Sequence, residues 1–262
     1  MNKLIPIILG IIVIISIIIA VSMRTQVTMA IGGLGYIFKV NNVNYAGDNS
    51  VQIYFISWYG CPNGATSSWI LYLVLNKYGT VSVIPHSSKF APRLGSAIPG
   101  LLFLNYTPKS NVYFHFIYLY NEYLNETLNG IPITNFTGNQ AVYLGLKELK
   151  SEVPHWVYQL AFFYNIGDKL VNQGNGSIAL AYHHLVTMCF ITGPKGTYAF
   201  ILYSNPITPE KLLQALGVSS LSMSEAKSLA SHLLSSKEMP SIILQAEQNL
   251  NQVISIELNI SD

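Results

Sequence analysis

Residues Val51 to Val74 constrain this chain more than any other stretch. Val51-Gln-Ile-Tyr-Phe-Ile-Ser-Trp-Tyr-Gly60 is a β-branched and aromatic run ending at a glycine. Cys61-Pro62-Asn63-Gly64 follows, and from Ala65 onward apolar residues recur with helical spacing. The pattern predicts a buried strand, a turn carrying a thiol, and a helix that starts at that thiol. A dithiol redox site needs a second sulfur on the first helical turn, within reach of the first, to resolve a mixed disulfide. Here that position is Gly64.

With 262 residues, half of them hydrophobic, the chain can bury one sizeable core with appendages. Leu4 to Val21 is an Ile/Leu/Val run without charge. At roughly 1.5 Å per residue it reaches about 27 Å, near the hydrocarbon thickness of a bilayer. Residues 1–24 are therefore expected to form a transmembrane anchor; a cleaved signal peptide ending near Ala20-Val21-Ser22 is the competing reading. Lys3 on one flank and Arg24 on the other leave orientation nearly undecided. Asn-x-Ser/Thr acceptors at Asn105, Asn125, Asn135, Asn175 and Asn259 fit a body lying outside the cell membrane.

The formal charge is +2, and the basic residues form no patch or aromatic-basic stripe, which argues against a nucleic-acid partner. Charged residues make up only a tenth of the chain. A surface built on hydroxyls and amides has few paired carboxylates to lose in acid, so the composition suits acidic surroundings.

Punctuation along the chain divides it further. Residues 25–40, with Gly32-Gly33-Leu34-Gly35, read as a linker, because no strand precedes the glycines and no P-loop lysine follows. Residues 41–206 read as the main α/β domain. Within it are expected the strand at 51–58, a helix over 65–77 and a strand over Thr80–Ile84 paired in parallel with the first. Then come a hairpin from Leu101–Asn105 and Val112–Tyr118, a helix over Asn139–Lys150, a hairpin over Phe162–Val171 and a helix over Ile178–Phe190. Residues 207–262 read as a mainly helical extension. Thr208-Pro209 and Ser222/Glu225 are helix-start signals, and Ile254–Ile260 alternates like a strand.

Cys61 admits several roles. The helix dipole and free N–H groups favour a thiolate there, which allows a monothiol exchange site. A small buried residue holding a helix-start turn is the plain alternative. Cys189 is the one other cysteine, and in an oxidising compartment the two could form a disulfide. His184 and Met188, four apart on the expected helix, with Cys189 and His86, make a soft copper site conceivable. Trp58, Tyr59, Trp69 and Tyr72 are candidate walls of a binding groove beside Cys61. No nucleophile elbow, zinc-protease signature, complete Walker loop or acidic pair for glycoside hydrolysis is present, and no cofactor is implied.

The stretch from Phe55 to Tyr120, with Cys61-Pro62, Trp69, Tyr78-Gly79, His86-Ser87-Ser88, Pro99 and Phe103, resembles an archaeal family of membrane-anchored thioredoxin-like proteins, domain of unknown function family 929. The likeness continues through Phe163-Tyr-Asn-Ile-Gly167 and the segment carrying Cys189. It implies a thioredoxin-like fold facing outward with a Cys-Pro-x-Cys site. This chain departs at Gly64, and again at Phe162, which aligns where such proteins place the proline that faces the thiol; Pro154 or Pro99 could serve instead. The resulting expectation is a noncatalytic thioredoxin-like module for protein or peptide contact. The alternatives are a monothiol oxidoreductase acting through Cys61 and, third, copper delivery.

Overall fold

The computed structural model describes residues 37–135, 138–167, 177–202, 205–236 and 238–259. At its centre is a five-stranded sheet built from β1 (Phe38–Asn41), β2 (Val51–Ser57), β5 (Val112–Tyr118), β6 (Met188–Gly193) and β7 (Gly196–Ile201). The strand order is β1-β7-β6-β2-β5. β2 runs parallel to β5, with Val51 opposite Val112, and antiparallel to β6, with Phe55 opposite Cys189. β3 (Gly79–Ser87) and β4 (Pro99–Pro108) form a separate antiparallel pair.

A strand buried on both faces must be covered on both sides, and β2 is such a strand. Ile53 and Phe55 pack against Trp69 and Leu71 of α1 (Pro62–Tyr78) and Leu250 of α7 (Ser241–Leu258). Tyr54 and Ile56 pack against Val142 and Leu146 of α2 (Gln140–Glu152) and Val157 of α3 (His155–Phe162). The remaining helices are α4 (Ile178–Tyr182), α5 (Pro209–Ala215) and α6 (Met223–Ser236). Leu212 of α5 and Leu233 of α6 enter the same core cluster as α1, and α6 lies over β3 and β4. The helix-start signals act as expected: Thr208 accepts from the Lys211 N–H, and Ser222 and Glu225 cap each other reciprocally.

α1 is buried through its first turns, from Gly64 to Leu71. Small residues there let β4 cross closely. A Cβ added at Gly100 would lie 2.6 Å from both Ala65 Cα and Cβ.

Several expectations change. The strand after α1 does not pair with β2; the parallel partner is β5, and β4 and β5 belong to different sheets instead of forming a hairpin. Phe162 ends α3, and Phe163–Gly167 is a π-helical turn, not a hairpin arm; residues 168–176 lie outside the described residues. The helix expected over Ile178–Phe190 stops at Tyr182, where His183 adopts a left-handed backbone (φ 59°), and Cys189 is in β6. Of the strand expected over Ile254–Ile260, Ile254–Leu258 is the end of α7 and Ile260 lies outside the described residues; Phe38–Lys39-Val40, read as linker, is edge-strand backbone. The anchor read at residues 4–21 lies outside the described residues, and among those described no helix is long and apolar enough to cross a membrane.

Candidate functional site

β2 delivers Cys61 to the carboxyl edge of the sheet, where it becomes the N-cap of α1 with Pro62 at the first helical position. The Cys61 N–H donates to the Trp58 carbonyl at 3.1 Å, and the Ala65 N–H returns to the Cys61 carbonyl at 2.9 Å. The residue is only 4% exposed. Its Sγ lies 2.9 Å from Thr187 Oγ1, and that hydroxyl lies 2.8 Å from Ser57 Oγ. A protonated Cys61 can donate to Thr187, whose single hydrogen then passes to Ser57.

Burial pushes the Cys61 thiol above its ordinary value; hydrogen bonds from Thr187, from the Gly64 and Asn63 N–H groups and from Ser57 pull it down without prevailing. The thiolate expected from the helix dipole is therefore outweighed by desolvation of the charge. The residue facing the thiol is Thr187, at the entry to β6. Phe162 is exposed at the end of α3, Pro154 precedes α3, and the Pro99 carbonyl accepts from Trp69 Nε1 at 2.9 Å, so none of the three takes that place.

Gly64 has a steric reason. A Cβ there would collide with Ser57 Oγ and lie 3.2 Å from Cys61 Cβ and 3.3 Å from Ser57 Cβ. Ser57 is held in this pose by its bond to Thr187. The hydroxyl of β2 thus fills the volume that a resolving sulfur on the helix would need.

Beside the thiol opens a cavity of about 410 Å³. Trp58, Cys61, Pro62, His184, Thr187 and Leu202 are among the residues that line it. The 184–187 segment is pinned from behind by two fully buried groups. Tyr120 OH donates to the Ala141 carbonyl at 2.7 Å and accepts from the Leu185 N–H at 3.3 Å; Asn165 Oδ1 accepts from the Val186 N–H at 3.0 Å. Leu202 holds a φ of 33°, a conformation that costs a bulky side chain about 1–3 kcal/mol, and donates its N–H to the Thr187 carbonyl at 3.1 Å.

The profile of one protein family matches residues 36–256. The chain belongs to that family, described as Domain of unknown function (DUF929). No curated protein and no solved structure matches the chain.

In this DUF929 member the remaining candidate residues are dispersed. Cys61 and Cys189 are both free and buried, in two different core clusters, so the disulfide is not formed. Burial also holds the Cys189 thiol well above its ordinary value. His184 lies in a loop and Met188 starts β6, so they share no helix face; Met188 Sδ accepts from Asn165 Nδ2 at 3.5 Å, and His86 Nε2 bonds the Tyr59 carbonyl at 2.9 Å. Among the described residues no three His, Cys, Asp or Glu side chains gather as a metal site. Of the aromatic wall, Trp58 lines the cavity. Tyr59 instead packs edge-on against Tyr118 and His86, Tyr72 packs on the core, and Trp69 is wholly buried in it. Asn105, Asn125, Asn135 and Asn259 are exposed, and Asn175 lies outside the described residues.

Reading the sequence missed Ser57, Thr187 and the cavity role of His184. A serine closing the buried run Ile53–Ile56 was the available signal for the first; nothing local marks the other two.

Proposed function

We propose that this protein is a membrane-tethered, extracytoplasmic member of its family with a thioredoxin-like domain, whose cysteine site makes protein or peptide contact and performs no redox turnover. A central strand that leads into a thiol-capped helix, with one parallel and one antiparallel neighbour and helices on both faces, supports the thioredoxin-like reading. The tether rests on the uncharged run from Leu4 to Val21.

The observation that carries the noncatalytic assignment is the collision between Ser57 Oγ and any side chain at position 64. It leaves Cys61 without a resolving partner on its helix. Burial outweighs the Thr187 bond and keeps the thiol protonated, and a thiol attacks disulfides only as its thiolate. What remains beside it is a preformed cavity of ligand-binding size.

Reduction of insulin disulfides by the full chain, with dithiothreitol as the electron donor, tests this. The expected rate equals that of dithiothreitol alone and is unchanged in Cys61→Ser. Turnover above that background, lost in Cys61→Ser, would establish the monothiol oxidoreductase instead.

A further inference from the structure

The ring of His184 presents its two nitrogens differently. Nδ1 lies 2.8 Å from the Leu185 carbonyl oxygen, which can only accept, so Nδ1 carries the proton and Nε2 of the neutral ring is an acceptor. Among the described residues no donor bonds to Nε2, and His184 lines the cavity. Burial lowers this histidine to about 4, so the ring is neutral at neutral pH and the acceptor is present. Trp58, Tyr120 and Tyr182 meet the ring edge-on at centroid distances of 5.3, 6.4 and 6.2 Å and fix its orientation.

The rest of the cavity is chiefly apolar, through Pro62, Leu94, Val186 and Leu202, and the strained backbone of Leu202 is spent on holding that wall. Two opposite charges, Arg93 and Glu210, both exposed, stand at the rim and leave no net preference for an ion. A wall of this kind with a fixed neutral acceptor suits a flat apolar group that ends in one hydrogen-bond donor. About 410 Å³ is room for such a side chain.

We propose that the cavity anchors an aromatic side chain bearing a donor, the phenol of tyrosine or the indole of tryptophan, presented by a peptide partner and bonded to His184 Nε2. This rests on the peptide-contact reading of the site and names the residue that the contact would recognise. The bond distinguishes tyrosine from phenylalanine, which fills the same space with nothing to donate. A neutral hydrogen bond of this kind is worth roughly a three- to tenfold difference in affinity.

The test is a saturation-transfer NMR titration of the full chain in detergent with N-acetyl-tyrosinamide, N-acetyl-tryptophanamide and N-acetyl-phenylalaninamide at millimolar concentrations. The phenylalanine probe is expected to bind roughly three- to tenfold more weakly than the better of the other two, and the order of those two assigns the anchor to phenol or indole. In His184→Asn, which keeps a donor for the Leu185 carbonyl but has no acceptor at the Nε2 position, the discrimination is expected to vanish while the far-UV circular dichroism spectrum stays the same. Equal binding of all three probes to the wild-type chain overturns the proposal, as does saturation by none. Neither result touches the noncatalytic reading, which fails only if Cys61-dependent turnover is found.

Discussion

Replacing Gly64 with alanine isolates the contact on which the monothiol character rests. Gly64 is the third residue of α1, and in a helix Gly→Ala ordinarily stabilises by roughly 1 kcal/mol. Here the new Cβ meets Ser57 Oγ, which must swing away and abandon its 2.8 Å bond to Thr187. Leaving that buried hydroxyl short of a partner costs about 1–3 kcal/mol, and crowding a packed site costs about 1–3 kcal/mol more. Gly64→Ala should therefore destabilise by roughly 1–5 kcal/mol despite its helix preference. In a Ser57→Ala background the nearest atoms are Ser57 Cβ at 3.3 Å and Cys61 Cβ at 3.2 Å, close enough to require small adjustments only. There the same substitution should be neutral or stabilising. A double-mutant cycle read by urea unfolding should then show a coupling of about 2 kcal/mol or more, against the roughly 0.5 kcal/mol within which independent sites add. An additive cycle, or a Gly64→Ala single variant more stable than wild type, would refute the steric account.

Three further outcomes are expected. Burial, opposed by the Leu185 carbonyl bond and aided by neighbouring His183 and Lys89, depresses His184 from 6.5 to about 4, so its contribution to stability is complete above pH 6.5 and lost as pH falls through about 4. That is at most about 3 kcal/mol, and His86 and His115, also lowered chiefly by burial, act in the same direction. Glu257, raised chiefly by burial, opposes them, since its contribution is present below pH 4.5 and lost as pH rises. The urea midpoint should fall between pH 6.5 and 4 in wild type and fall less in His184→Gln; an equal drop in both would remove His184 from the account. Gly100→Ala should lower stability by about 1–3 kcal/mol, because the clash is with the backbone of α1 at Ala65, and a neutral result in thermal unfolding would contradict that crossing. Trp69→Phe should cost about 2–4 kcal/mol through lost volume and an unpaired Pro99 carbonyl while leaving probe binding in the cavity intact, which separates this core residue from the groove it was first assigned to.

Much of the local structure was legible because single residues carry it. The Gly60-Cys61-Pro62 turn, the Thr208-Pro209 start and the Ser222/Glu225 box all sit where their chemistry requires. Pairing was less legible. Thr80–Ile84 alternates between exposed and half-buried positions, as an edge-type strand of a small sheet does, whereas β2 is buried almost throughout. That difference argued against pairing them centrally, since parallel sheet strands are buried on both faces. The run through Cys189 failed for another reason. A short apolar stretch does not distinguish a buried strand from a helix, and nothing in the residue type announces the left-handed His183. At the end of α7, the alternation from Ile254 coincides with the i, i+4 continuation from Ile243, Leu250 and Ile254, and the longer period prevails. In the site, Cys61 and Gly64 were visible, but Thr187 lies 126 residues further along the chain, and the dependence of Gly64 on Ser57 exists only once strand and helix are packed.

Site-resolved alkylation is the most direct measurement of the central claim, that Cys61 is a buried, protonated thiol. The full chain is treated with iodoacetamide across a pH series, and the peptides bearing Cys61 and Cys189 are quantified separately by mass spectrometry. The account predicts slow modification of Cys61 that still rises beyond pH 9, the ordinary thiol value above which burial has pushed it. Rapid modification reaching its plateau in the acid to neutral range would contradict it.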